Sequence, residues 1–330
     1  MIKKAELHVH LEGTITPKLA LELARRNKLE LPDDLIAADG ASYDYSNFLD
    51  FLKKYDAVAA VIRAPQDYYD ITFDYLKNNA QQGAIYIELM YSPEHAEMMS
   101  KIPSREHLYA IQQAIDDAYN KYTIIAKIII TAVRHFGVNA AIAVAKQAIK
   151  EEFACIVGFG LAGDEINFPP KLFAHAFQIA VDGGLLATVH AGEHASASGM
   201  IEAMDYLPIK RIGHGVNAIH SQETMSRIRD NQIALEVCPS SNVALKVVPD
   251  LPRHPLKRLR DAGILVSINS DDPPFFRTDL AREYKLVQET FGYTDQEMLQ
   301  FTQMAIAASF ANAATKNKLQ QCLMDESLCI

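Results

Sequence analysis

The chain has 330 residues, of which 49% are hydrophobic and 22% charged, as is typical of a globular protein with a large core. Its net charge of −9 disfavours sequence-independent binding of nucleic acid, which requires a surplus of lysine and arginine on one face. The N-terminus shows no secretory h-region, and no apolar run approaches the ~18 residues of a membrane span. The four cysteines are widely spaced without a CxxC pair. We therefore expect a cytoplasmic protein in a reducing compartment, without a disulfide framework, a nucleic-acid partner or a membrane partner.

Short apolar runs alternate with longer helical patterns along the chain. Eight runs show little polar alternation, which is typical of parallel strands buried on both faces; they lie at 5–10, 84–91, 124–133, 155–161, 186–190, 211–213, 234–238 and 265–269. Helices are predicted between them at 104–121, 139–151, 170–182, 197–206, 221–230 and 254–262. Eight β units that alternate with helices predict an α/β fold, a (β/α)8 TIM barrel that forms a single domain over residues 1–330.

Two regions depart from this repeat. Residues 17–82 separate the first two strands and contain helical patterns at 47–62 and 66–82, which predict a helical insertion over the barrel mouth. Tyr45, Phe48 and Phe51 of this insertion fit two roles, an apolar lid over a substrate or the packing core of a helix. Residues 276–330 predict extra C-terminal helices packed on the outside of the barrel.

An HxH motif, His8 and His10, ends the first predicted strand. Residues i and i+2 of a strand point to the same face, so both imidazoles are aimed at one place. Imidazole is a common zinc ligand. Two ligands do not make a site, since a buried histidine is often a hydrogen-bonded core group, and the remaining ligands must come from other strand ends.

Further histidine and carboxylate side chains follow later strands. His190 ends strand five, His214 follows strand six, and the pair Asp271 and Asp272 follows strand eight. In a (β/α)8 barrel the carboxyl ends of the strands share one face, where the active site lies. Three imidazoles and a carboxylate, with water as a further ligand, would form a catalytic zinc site. Their joint occurrence at four strand ends favours one site over separate structural roles.

The other seven histidines show no such placement, and we expect them to be structural or surface groups. Among them, His107, His175 and His220 are expected at the surface, and His254 at the start of a helix.

The motifs of the chain, taken in order, resemble those of the adenosine deaminase family of the amidohydrolase superfamily. The resemblance runs nearly end to end and rests on ELHVHLEGT at 6–14, GLAGDE at 160–165, VHAGE at 189–193, RIGHG at 211–215, VCPSSN at 237–242 and INSDDP at 268–273. It implies one zinc ion per chain, held by His8, His10, His190 and Asp271. The run GLAGD at 160–164 contains no lysine, unlike the binuclear members of the superfamily, which use a bridging lysine after strand four.

The resemblance also implies catalytic and substrate-binding residues. Glu193 would donate a proton to the purine ring, and His214 would orient and polarise the attacking water. The predicted substrate-binding residues are His10, Glu12, Gly163 and Asp272. Among these, the Gly163 backbone would contact purine N3, Asp272 would share a hydrogen bond with N7, and the position of Glu12 contacts a sugar hydroxyl in this family.

The activity implied is zinc-dependent hydrolytic deamination of adenosine and 2′-deoxyadenosine to inosine and 2′-deoxyinosine plus ammonia, by attack of zinc-bound hydroxide on purine C6. Zinc lowers the pKa of bound water to ~7, which supplies the hydroxide at neutral pH. The attack moves electrons onto ring N1, so an acid is needed beside it. The expected partner is a small purine nucleoside; the sequence carries no indication of oligomeric state.

Several alternatives remain open at this point. Glu12 in HLEGT resembles adenine deaminases and 6-amino-6-deoxyfutalosine deaminases, whereas Gly213 before His214 and the GDE run at 163–165 resemble the nucleoside enzymes. A non-catalytic purine-binding protein would have lost a ligand or Glu193, and none is lost. Another amidohydrolase reaction is disfavoured by Glu193 and by the missing lysine.

Overall fold

The computed structural model describes residues 1–324. Within them, eight parallel strands form one sheet in the order of the sequence. The strands are β1 Lys4–His10, β2 Ala84–Tyr91, β3 Ile125–Val133, β4 Ile156–Ala162, β5 Leu186–Ala191, β6 Arg211–His214, β7 Ala234–Val237 and β8 Leu265–Ile268. The sheet closes where Val9 bridges to Asp271 and the Leu7 N–H donates to the Asn269 side chain at 2.8 Å. This confirms the predicted (β/α)8 barrel.

Helices surround the barrel. In chain order they are α1 Pro17–Arg26, α2 Phe48–Ala59, α3 Pro65–Gln81, α4 Pro93–Ser100, α5 Ser104–Tyr122, α6 Val138–Lys150, α7 Ala174–Asp182, α8 Ala197–Tyr206, α9 Gln222–Asp230, α10 Pro239–Ala244, α11 Leu256–Asp261, α12 Leu280–Phe291, α13 Asp295–Ala308 and α14 Ala313–Met324. The predicted stretch at 170–182 divides into a 3-10 turn, Pro170–Phe173, and α7. Proline lacks an N–H donor, so the two consecutive prolines at 169 and 170 suit this irregular start.

The insertion between β1 and β2 contains α1, α2 and α3, and it packs against the barrel mouth. The Tyr43 hydroxyl donates to the Ile15 carbonyl at 2.8 Å, which ties the loop before α2 to the segment between β1 and α1. Phe51 is buried and its ring lies 5.3 Å from that of Phe275, whereas Phe48 is half-buried and contacts the His194 ring at 4.8 Å. Phe51 therefore belongs to the packing core of the helix, whereas Phe48 contacts the loop after β5 on the other side of the barrel mouth.

The C-terminal helices α12, α13 and α14 are present as predicted, but the segment after α13 does not stay outside. The Phe310 side chain is buried in the barrel floor, where it packs with Met90 of β2 and Ile129 of β3. A Cβ on Gly158 of β4 would lie 2.5 Å from this ring, so the missing side chain leaves room for it. The prediction that this region packs on the outside of the barrel is therefore wrong at Phe310. The floor of the barrel leaves a space that an aromatic ring can fill. The rest of the predicted region, residues 325–330, lies outside the described residues.

Two further expectations can be compared with the structure. Cys155 and Cys238 are buried free thiols, but Cys322 is disulfide-bonded, which differs from what is expected in a reducing compartment. Among residues 1–324, no helix combines the length and the apolar character needed to cross a bilayer.

Candidate active site

Four imidazoles and one carboxylate converge at the carboxyl ends of the strands. His8 and His10 lie on β1, His190 on β5, His214 on β6, and Asp271 follows β8. The His10 Nε2 atom lies 3.3 Å from His190 Nε2 and 3.4 Å from Asp271 Oδ1, and His8 Nε2 lies 3.4 Å from the same oxygen. Potential ligand atoms within 4.8 Å of one another come from His8, His190, His214 and Asp271.

This set of side chains fits a divalent transition metal. Histidine nitrogens and a carboxylate oxygen are the donors of catalytic zinc sites, and the buried His8 Nε2 has no hydrogen-bond partner among the described residues. His10, Asp271 and Asp272 form a second, overlapping group of potential ligands. Because these two groups include residues beyond the four predicted ligands, the choice of ligands stays a prediction.

Two residues of this cluster have strained backbones. Asp271 and His214 have φ angles of +65° and +58°, in the left-handed region that side chains other than glycine rarely adopt. The Asp271 N–H donates to the His8 carbonyl at 3.2 Å, and the Asp271 carbonyl accepts from the His10 N–H at 3.0 Å. These bonds hold Asp271 against the end of β1, so the fold maintains a conformation that would otherwise be unfavourable.

Two of the imidazoles are oriented through the ring nitrogen that faces away from the cluster. His8 Nδ1 lies 2.8 Å from Glu236 Oε2, and His190 Nδ1 lies 3.1 Å from the Leu161 carbonyl. Such partners fix the tautomer and ring orientation of metal-ligating histidines. Glu236 was not predicted from the sequence, where its signal is a carboxylate inside the otherwise apolar run of β7.

A further pair of side chains orients His214. Its Nδ1 lies 3.2 Å from Asn242 Nδ2, and Asn242 Oδ1 lies 3.2 Å from His254 Nε2. Asn242 lies within the VCPSSN motif, but the sequence analysis gave it no role. His254, expected only at a helix start, is buried and belongs to this chain of contacts.

Burial has different effects on the four imidazoles. It lowers the pKa of His190, and it lowers the pKa of His10 and His214 to about 4 and about 3. A neutral imidazole has a free lone pair for a metal ion. Burial also acts to lower the pKa of His8, but the adjacent Asp271 and Glu236 carboxylates outweigh it and raise that pKa to about 10.

The pKa values of the two neighbouring aspartates are shifted in opposite directions. Burial acts to raise the pKa of Asp271, but the imidazoles of His8, His214 and His10 hold that pKa well below its usual range. The pKa of Asp272 is raised because the group is buried and faces the Asp271 charge. An acid group whose environment favours the ionised form thus lies beside one whose environment favours the protonated form.

Glu193 is a buried carboxyl group beside the cluster of histidine and aspartate side chains. Its Oε2 lies 3.6 Å from His214 Nε2. Burial, and then the charges of Asp271 and Glu165, raise the pKa of Glu193 well above its usual range. A carboxyl group that keeps its proton near neutral pH can act as a general acid.

The loop that carries Glu193 is held by Glu165, a residue the sequence analysis named only as part of a motif. The Glu165 carboxylate accepts hydrogen bonds from the backbone N–H groups of Gly192, Glu193 and His194, at 2.8, 3.1 and 3.3 Å. One side chain from the loop after β4 therefore fixes the loop after β5.

Glu12 lies in a closed polar pocket formed by the insertion. It is 2% exposed, and its carboxylate accepts from the Tyr68 hydroxyl at 2.8 Å and from the Tyr55 hydroxyl at 3.4 Å. Burial raises the pKa of Glu12, an effect that the charge of His95 partly offsets.

At three positions in the motifs, a glycine is required because a Cβ atom would collide with a neighbour or because φ is positive. A Cβ on Gly13 would lie 1.8 Å from Asp272 Oδ1, and a Cβ on Gly213 would lie 2.8 Å from His8 Cε1. Gly163, directly after β4, has a φ of +97°. Gly213 is thus explained by packing against His8, which weakens its use as evidence for a nucleoside substrate.

The remaining histidines match the expectation only in part. His175 and His220 are exposed as predicted. The surface prediction is wrong for His107, which is fully buried with its Nδ1 2.8 Å from the Tyr91 hydroxyl. Its polar partner is distant in the sequence, so the helical pattern alone did not show it.

The chain was compared with known proteins. Residues 3–326 match the family model described as adenosine deaminase. An adenine deaminase of Rhizobium leguminosarum bv. trifolii is 42% identical over 318 residues, which are 96% of this chain and 98% of that protein. The crystal structure of an adenine deaminase from Arthrobacter aurescens superposes with a TM-score of 0.90 at 30% identity, covering 98% of each chain. A zinc-bound amidohydrolase from Burkholderia ambifaria superposes with a TM-score of 0.87 at 23% identity, covering 98% of this chain and 90% of that one.

Proposed function

The chain belongs to the adenosine deaminase family, and from that premise we propose that it hydrolyses adenine to hypoxanthine and ammonia. The observation that carries this choice of substrate is the similarity, over 96% of the chain, to relatives named adenine deaminase. It favours adenine, an alternative substrate predicted from the sequence, over adenosine, the substrate that the sequence favoured.

The pocket around Glu12 supports a free base as substrate. Adenine carries an N–H at the position where adenosine carries ribose, and a buried carboxylate is a suitable acceptor for it. Tyr55 and Tyr68 hold the Glu12 carboxylate in place, and all three side chains are largely buried. In this proposal Glu12 takes up room that a ribose would need and accepts the hydrogen bond from the purine N9–H.

The metal in this proposal is zinc, held by His8, His10, His190 and Asp271. When bound, zinc supplies a water of pKa ~7 and hence a nucleophile at neutral pH. The convergent imidazoles, the ionised Asp271 and the partnerless His8 Nε2 support this assignment. So does the zinc in the Burkholderia ambifaria amidohydrolase of the same fold.

The remaining steps belong to side chains of the chain itself. Glu193 keeps its proton in the buried pocket and donates it to purine N1 as C6 becomes tetrahedral. His214, held by Asn242 and neutral because of burial, orients the attacking water and accepts its proton. His214 then passes this proton to the amino group, so that ammonia leaves. The C6 hydroxyl returns its proton to Glu193 as it becomes the C6 carbonyl of hypoxanthine, which restores both side chains.

Two groups would position the ring for this reaction. The protonated Asp272 donates a hydrogen bond to N7, and the raised pKa of its carboxyl, caused by burial and by the Asp271 charge, supports that role. The Gly163 backbone, whose φ of +97° turns the peptide at the end of β4, contacts N3.

The test is ammonia release by purified, zinc-loaded protein with adenine, adenosine, 2′-deoxyadenosine and 6-amino-6-deoxyfutalosine measured in parallel. We expect the highest kcat/KM for adenine. A preference for a nucleoside would contradict adenine as the substrate but would still support the deaminase reaction. Absence of turnover for all four, with zinc bound, would overturn the reaction itself and favour a purine-binding protein.

A further inference from the structure

A continuous chain of polar contacts leads from the predicted metal ligands down into the barrel. His8 Nδ1 lies 2.8 Å from Glu236 Oε2, and the other oxygen of Glu236 accepts from Arg211 Nε at 2.5 Å and from the Thr188 hydroxyl at 2.9 Å. Each of these four side chains is at most 1% exposed. Glu236 therefore connects a predicted metal ligand with a permanently charged guanidinium group.

Arg211 is held from the floor side by groups that play no part in the proposed reaction. One of its terminal nitrogens forms an ion pair with Glu88 Oε2 at 2.6 Å, and the other donates to the Ala308 carbonyl at 3.2 Å. Its guanidinium carbon lies 3.5 Å from the centroid of the Phe310 ring, within the range of a cation–π interaction. The Phe310 N–H in turn donates to Glu88 Oε1 at 2.6 Å.

This arrangement has a physical consequence for the metal site. Two buried carboxylates share one buried cation, and a buried carboxylate that loses its partner is strongly unfavourable. A displaced Arg211 would therefore force Glu236 to change its contacts, including the one to His8. Groups that hydrogen-bond a metal-ligating histidine set its orientation and basicity, and their loss typically weakens metal binding 10–100-fold.

We infer that Arg211 is a positioning residue for the metal site, which acts on His8 through Glu236, and that the segment 308–310 holds Arg211 in place from the barrel floor. The C-terminal part of the chain would thus contribute to metal affinity from the end of the barrel opposite to the reaction. The inference rests on the proposed zinc site but not on the identity of the substrate.

The test measures zinc affinity directly, by competition of the metal-free protein with a chromophoric chelator. Arg211→Lys keeps the charge but cannot contact both carboxylates and the ring at once, and we expect zinc affinity about 10–100-fold weaker. Circular dichroism of the metal-free variant reports its folding separately. Wild-type affinity in folded Arg211→Lys would overturn the inference.

A second variant keeps the test decisive if Arg211→Lys does not fold. Phe310→Leu keeps an apolar side chain in the floor but removes the aromatic face, and we expect zinc affinity weaker by about three- to tenfold. The matched control is Met90→Leu, which alters the packing against the same ring and should bind zinc like the wild type. Wild-type affinity in Phe310→Leu, or an equal loss in Met90→Leu, would contradict the role of the floor segment.

If the wild-type protein binds zinc without deaminating any purine, the proposed reaction fails while these affinity ratios still decide the inference. If it does not bind zinc at all, the metal site fails and the inference fails with it.

Discussion

The mouth and the floor of the barrel both bury several charged groups, but they pair them differently. At the floor, Arg211 lies between Glu88 and Glu236, so each carboxylate has a cationic partner. At the mouth, Asp271, Asp272 and Glu193 lie close together, and the pKa values of the last two are raised by burial and then by the charge of Asp271. The floor therefore pairs its carboxylates with a cation, whereas burial at the mouth raises the pKa of two carboxyl groups that we propose to act in the reaction.

The largest expected effect comes from replacing Glu193, the proposed proton donor at the mouth. Glu193→Gln keeps the size and polarity of the side chain but cannot transfer a proton. We expect kcat for adenine to fall by roughly 10²–10⁴-fold, the usual contribution of general acid catalysis. Zinc content and melting temperature serve as controls and should stay at the wild-type values, whereas kcat within a few-fold of the wild type would show that another group donates the proton.

The neighbouring aspartates allow a matched comparison at the mouth. Asp272→Asn still offers an N–H to purine N7, as the protonated carboxyl does, so we expect about a tenfold loss in kcat/KM with unchanged zinc affinity. Asp271→Asn replaces an anionic oxygen ligand by an amide, and zinc affinity should fall strongly. Metal analysis and steady-state kinetics on both variants separate these outcomes, and equal zinc affinities would contradict the division of roles.

A smaller effect is expected in the pocket of Glu12. Glu12→Asp withdraws the carboxylate by one methylene, which leaves more room beside N9 and lengthens the contact to the N9–H. The ratio of kcat/KM for adenine to that for adenosine should fall by about 10–100-fold, since one methylene in a pocket changes discrimination by that order. The matched control is Glu22→Asp on the exposed side of α1, and a shared shift in both variants would argue against a specificity role for Glu12.

The last prediction concerns stability rather than activity. Glu283 is buried, which raises its pKa from an ordinary 4.5 to about 7, while hydrogen bonds from Thr278 and Ser240 partly offset the effect. Because the folded state binds this proton more tightly, the stability it contributes is complete below pH ~4.5 and is lost as pH rises towards 7. Glu283→Gln should reduce the fall in unfolding free energy between pH 4.5 and 8 by roughly 2–3 kcal/mol, measured by urea denaturation. An unchanged pH dependence would mean that Glu283 ionises normally.

The sequence was most informative at the mouth. His8, His190 and Asp271 could be placed together because polar side chains at the ends of apolar strands meet at one face of a barrel. The same logic identified all eight strands, whose short apolar runs are typical of parallel sheets.

The sequence was less informative where a role depends on a distant partner. Glu236 and Arg211 are single charges in buried strands, and their functions follow from contacts with β1 and β2 that no local pattern reveals. Phe310 follows a surface helix, so only the three-dimensional packing shows that it enters the floor. Gly213 suggested a nucleoside enzyme, but its close approach to His8 gives it a packing reason.

The most direct test of the account is a titration of zinc into metal-free protein while hypoxanthine formation from adenine is followed by absorbance. We predict that turnover rises linearly and stops rising at one zinc per chain. A break at two ions per chain would contradict the single-metal site, and absence of hypoxanthine at saturating zinc would contradict the proposed function.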